Sequence, residues 1–104
     1  MPLYRIERNQ SQCLVALEGD LTAALIPDLQ AALKKELERE TREVLFDLKD
    51  TAMLDSSGIG LLIATYNSLN QRKGGVKVIN VSPDILRLLQ SMRLTSRLSV
   101  SGRQ

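Results

Sequence analysis

Val44-Leu45-Phe46-Asp47-Leu48 is a short run, apolar at all positions but one. A few residues later stands Leu54-Asp55-Ser56-Ser57-Gly58-Ile59-Gly60-Leu61-Leu62. The first run is too short for a helix and too apolar for a loop, so it reads as a strand, and its near-continuous apolarity predicts cover on both faces. The second opens with residues that cap helices and continues into aliphatics at helical spacing up to about Arg72. A pair of hydroxyls therefore stands where a buried strand turns into a helix, beside a carboxylate and next to glycine.

Working outward, Leu3 to Glu7 alternates weakly as a strand, Arg8 to Ser11 is a polar turn, and Cys13 to Glu18 is a second strand. So short a link predicts an antiparallel hairpin. Ile26, Leu29, Leu33 and Leu37 recur at helical spacing, with Pro27 tolerated in the first turn. Lys73-Gly74-Gly75 stops the helix that follows the serine pair, with glycine available for a left-handed cap. Val76 to Val81 is another strand. Ser82 and Pro83 then open a short helix as cap and first residue, with Ile85, Leu88, Leu89 and Met92 on its inner side. Leu98 to Val100 is a last edge strand. The order predicts an α/β fold: a mixed, mostly parallel sheet with an antiparallel N-terminal strand pair and helices packed on it. Residues 1–104 are expected to form one domain.

The composition narrows the function. Of 104 residues, 43% are hydrophobic and only 3% aromatic, so the core is aliphatic. Fourteen Lys and Arg against 12 Asp and Glu give a net charge of +2. That is too little for a nucleic-acid partner, and no basic stripe is interleaved with aromatics. No apolar run is long enough to span a bilayer, and the N-terminus lacks the pattern of a secretory signal, so a cytoplasmic protein with no membrane partner is expected. With no histidine and a single cysteine, Cys13, the chain lacks the usual zinc ligands and any His-based triad. Asp47, Asp50 and Asp55 are acidic candidates without a nucleophile or phosphate loop to work with, so no enzyme, metal or cofactor is expected. A monomer is the plain expectation.

The Asp55-Ser56-Ser57-Gly58 turn has two readings. As structure, Asp55 and Ser56 cap a helix while Gly58 and Gly60 permit close packing. As function, the hydroxyl pair is a place to switch charge. Two glycines in a first helical turn cost about 1 kcal/mol each relative to alanine, so something must compensate. The helix is also apolar on more than one side: Ile59, Leu62, Ile63 and Tyr66 share a face for the sheet, and Leu61 points nearly opposite. Leu61 is either part of a shallow docking patch or covered by a neighbouring loop. A phosphoryl group on Ser56 adds about −1.5 to −2 charges at pH 7. The helix N-terminus favours such an anion by roughly 0.3–1 kcal/mol. Asp55 opposes it, so the surface changes while the fold need not.

Together, Gly19-Asp20-Leu21, Val44 to Leu48, Leu54 to Leu62 and Val76 to Pro83 resemble the STAS domain family, specifically the bacterial anti-sigma factor antagonists. The resemblance covers nearly the whole chain in order. It implies a partner-switching protein that, unphosphorylated, binds an anti-sigma factor that is also a serine kinase. That kinase would phosphorylate Ser56 and be released, and a metal-dependent serine phosphatase would reverse the step. ATP and metal would belong to those partners. The implied docking surface comprises Asp20, Thr22, Asp55, Ser56, Ser57, Gly58, Gly60 and Leu61. The family pattern Gly-Glu-Leu-Asp is here Gly19-Asp20-Leu21-Thr22, so the second acidic position is lost, and Thr22 is a candidate cap for the next helix. The final helix of some relatives is expected to be absent or reduced. The rival reading is a STAS subunit of a stable assembly, a lipid-transport complex or a stress-sensing scaffold, without a phospho-switch.

Overall fold

The computed structural model describes residues 3–102, so the two residues at either end of the expected 1–104 domain lie outside the described ones. Strands β1 (Tyr4–Asn9) and β2 (Gln12–Leu17) form the predicted hairpin. Gln10 takes a left-handed φ of 57° in its tight turn. Helix α1 (Ile26–Leu37), β3 (Glu43–Asp47), α2 (Ser56–Asn70), β4 (Gly75–Val81), α3 (Pro83–Ser91) and β5 (Ser99–Gly102) follow in alternation. The sheet order is β1-β2-β3-β4-β5, antiparallel only between β1 and β2.

Each crossover from β2 onward steps one strand in the same direction. Right-handed crossovers of that kind place all three helices on one face of the sheet. The burial pattern agrees. Cys13, Val15, Val44, Phe46, Val76 and Val78 are buried in matching register, while Leu14, Leu45 and Lys77 alternate with them and are partly or fully exposed. This corrects the expectation that β3 is covered on both faces. Its Leu45 faces the open side and is only half-buried beneath longer polar neighbours such as Glu43 and Lys77, which pair at 3.4 Å.

Other local expectations also shift. Thr22 is not the cap of α1. That position falls to Leu25, whose side chain makes no cap hydrogen bond, and Thr22 instead accepts the Leu25 N–H through its carbonyl at 2.9 Å. The left-handed residue that ends α2 is Lys73, with φ 60°, rather than a glycine. Gly74 is required for a different reason: a Cβ there would strike the Arg42 carbonyl. Ser82 does cap α3, accepting from the Ile85 N–H at 3.2 Å, and Pro83 is its first residue. Met92, expected on the inner side of α3, is 45% exposed because the helix has already ended at Ser91. Among the described residues no helix is long and apolar enough to cross a membrane.

Candidate functional site

The serine pair sits where the loop after β2 and the loop after β3 are stitched together, at the C-terminal ends of neighbouring parallel strands. Leu21 and Leu54 form a short parallel bridge. The Leu21 N–H donates to the Met53 carbonyl at 3.1 Å, and the Asp55 N–H donates to the Leu21 carbonyl at 3.3 Å. Asp20 tightens the seam, its Oδ1 accepting from the Ala52 and Met53 N–H groups at 3.0 and 2.9 Å. Thr51 is buried and donates its hydroxyl to the Gly19 carbonyl at 2.8 Å. Loop backbone that would otherwise seek water is thus satisfied within the seam.

Asp55 is the N-cap of α2. Its Oδ1 accepts from the Gly58 N–H at 3.0 Å, and its Oδ2 reaches across the seam to the Ala23 N–H at 3.0 Å. The Gly58 N–H donor, outweighing the opposing desolvation and joined by the Ala23 N–H, holds the Asp55 carboxyl below its ordinary pKa. Ser56 is therefore the first helical residue, not the cap, and it is exposed. Ser57 is half-buried, and Gly58 is buried because the seam passes directly over it. A Cβ at Gly58 would lie 2.6 Å from the Leu21 carbonyl oxygen and 2.7 Å from Leu54 Cδ1. Gly60 is exposed and has nothing near it.

The predicted residues Asp20, Asp55, Ser56, Ser57 and Gly58 are thus brought into one rigid platform, with Thr22 half-buried at its margin. Leu61 is not on its surface. It is only 6% exposed and belongs to the core, covered by α1, where it lines a groove of about 350 Å³ with Leu33 and Leu37. The second apolar side of α2 serves a neighbouring helix, so the covering element is α1 and not a loop. The exposed side of α2 is a third one. At about 100° per residue it runs through Ser56, Gly60, Ile63, Ala64 and Asn67, small apart from a half-buried isoleucine. Met53 extends this surface at 57% exposure. Both were legible in principle: Met53 alternates with the bridged Leu54, and the stripe is what remains once two apolar sides are assigned to sheet and helix.

The acidic candidates for catalysis do not converge. Asp47 accepts from the Lys49 N–H and the Asn80 side-chain amide, both at 3.0 Å, and Asp55 is committed to capping. Among the described residues no group of three His, Cys, Asp or Glu side chains could hold a metal ion. Cys13 is buried in the sheet, and burial raises its thiol pKa.

Comparison with known proteins bears on this geometry. The model of the STAS domain matches residues 4–101. An anti-sigma-B factor antagonist of Staphylococcus aureus is 29% identical over 87 residues, 84% of this chain and 81% of that protein. Two solved structures share the fold. The Bacillus cell fate determinant SpoIIAA in its phosphorylated form has a TM-score of 0.78 at 18% identity, covering 94% of this chain and 90% of the other. An anti-sigma factor antagonist from Mycobacterium paratuberculosis has a TM-score of 0.81 at 22% identity, covering 93% and 82%. With a platform capped by Asp55 and led by Ser56 set on the expected five-stranded sheet, the chain belongs to the STAS domain family.

Proposed function

We propose that this chain is an anti-sigma factor antagonist whose docking is switched by phosphorylation of Ser56. The observation that carries the reading is the exposed Ser56 hydroxyl at the first position of α2, beside a carboxylate that already occupies the helix N-terminus. A helix N-terminus ordinarily draws an anion toward its free N–H groups. Here Asp55 has taken the Gly58 N–H, and its charge repels a second anion. The phosphoryl group therefore stands outward in solvent. It adds about −1.5 to −2 charges to a surface of small side chains without repacking anything beneath.

The docking surface in this account is the Ser56, Gly60, Ala64 and Asn67 side of α2, with Met53 and the exposed seam at its head. Small residues let a partner approach the helix closely, so an outward phosphate obstructs it both by bulk and by unpaired charge. Asp20, Asp55 and Gly58 hold the platform, and Leu61 supports it from within. The partner is an anti-sigma factor that carries the serine kinase activity, and a metal-dependent serine phosphatase restores the binding form. This chain contributes a substrate hydroxyl and a surface, not catalysis. Incubating it with ATP and lysate of its own cells, then mapping phosphate by mass spectrometry, tests the assignment. Phosphate on Ser56 that disappears in Ser56→Ala is the expected result. Phosphate confined to other residues refutes it.

A further inference from the structure

Strand β1 lies at the edge of the sheet and pairs with β2 without a bulge from Tyr4 to Asn9. The Glu18 N–H donates to the Leu3 carbonyl, which fixes the phase of that ladder. Arg5, Glu7 and Asn9 share the phase of Leu3 and turn their backbone groups toward β2, whereas Tyr4, Ile6 and Arg8 turn theirs outward. The strand contains no proline or glycine to blunt this edge. Among the described residues no further strand lies beyond it.

We propose that this edge pairs with the β1 edge of a second copy of the chain, antiparallel about a two-fold axis at Ile6. In that register Ile6 opposes Ile6, Tyr4 opposes Arg8, and Arg5 opposes Glu7. The three facing pairs made by Tyr4, Ile6 and Arg8 are the ones whose N–H and C=O groups point outward, so each exchanges two backbone hydrogen bonds. Arg5 and Glu7 then form the closer, non-hydrogen-bonded pairs, with opposite charges meeting twice across the axis. A slip of two residues keeps the backbone phase but sets Arg5 against Arg5, or Glu7 against Glu7. One register therefore satisfies both backbone and charge.

The side chains leave the edge open to this pairing. Arg5 and Glu7 lie on the uncovered face of the sheet, both well exposed, and at present Arg5 makes only solvent-facing pairs with Glu7 and Glu18 at 3.7 and 3.4 Å. On the covered face the long side chains are tied back to α1 or its C-terminal turn. The Tyr4 hydroxyl donates to Asp28 at 2.7 Å, and the Arg8 guanidinium donates to Glu36 at 2.9 Å and to the Thr41 hydroxyl at 2.6 Å. Ala32, midway between Asp28 and Glu36, gives a small contact where the two α1 helices approach. The Ser56 platform stands at the C-terminal ends of β2 and β3, off the open backbone edge of β1, so a pair of chains presents two platforms.

Sedimentation velocity from micromolar to millimolar concentration, with amide exchange at the same concentrations, tests the proposal. The chain should pass from monomer to dimer. As it does, the Tyr4, Ile6 and Arg8 amides should become protected, while those of Arg5, Glu7 and Asn9 stay protected throughout. Glu7→Arg should weaken association roughly tenfold, and the charge-swapped Arg5→Glu/Glu7→Arg double variant should recover it. Both positions are exposed, and thermal melts confirm that each variant is folded. A chain that stays monomeric at millimolar concentration overturns the proposal. So does a dimer in which the Ile6 amide still exchanges freely or Glu7→Arg has no effect.

Discussion

A Cβ added at Gly58 would lie 2.6 Å from the Leu21 carbonyl oxygen, whereas one added at Gly60 would meet nothing within 4 Å. Two glycines that look alike in the sequence thus answer to different demands. Gly58→Ala should destabilise the fold by about 1–3 kcal/mol through overpacking against a backbone seam that cannot retreat. Gly60→Ala should stabilise it by up to about 1 kcal/mol, because alanine is the better helix former. Paired thermal melts check the opposite signs. Asp55 offers a further test. Its folded pKa is depressed, so the stability it confers is present above the ordinary carboxylate range and is lost as pH falls through the lowered value. Asp55→Asn keeps a cap but removes the titration, and a plot of its melting temperature against pH should be flatter on the acid side than that of the wild-type chain.

Helix α2 shows what a single sequence reveals about an element and what it withholds. Its start at the serine pair, its length to within two residues and its apolar character were all legible, because capping and periodicity are local properties. Which apolar side meets which neighbour was not. Leu61 lies opposite the sheet-facing residues, and only the path of α1 from Ile26 to Leu37 shows that it is covered. The same limit explains β3, whose apolar run gave no sign that all three helices would choose one face. Leu61→Ala should accordingly cost about 2–5 kcal/mol. For a domain of this size that is a fall in melting temperature on the order of 10 °C or more. A variant that melts like wild type but loses its partner would return Leu61 to the surface.

For the whole molecule, the account holds that a charge is added to a rigid platform and the fold stays as it is. The seam between the two loops is closed by backbone bonds and by Asp20, Thr51 and Asp55, none of which a phosphoryl group on Ser56 displaces. Amide chemical shifts of the phosphorylated and unphosphorylated chain should therefore differ only around residues 20–23 and 52–60. Changes spread through the sheet would indicate a conformational switch instead. The fold class and the serine at its centre followed from the sequence because strand, turn and helix chemistry agree there. The exposed stripe of α2 is defined only once its sheet-facing and helix-facing sides are assigned, and the second assignment needed the path of α1. The most direct test is calorimetric titration of the anti-sigma factor of the same organism with this chain, unmodified and carrying phosphoserine at position 56. The account predicts binding by the unmodified chain and at least a tenfold loss, about 1.4 kcal/mol, on phosphorylation. Equal affinity of the two forms would contradict it.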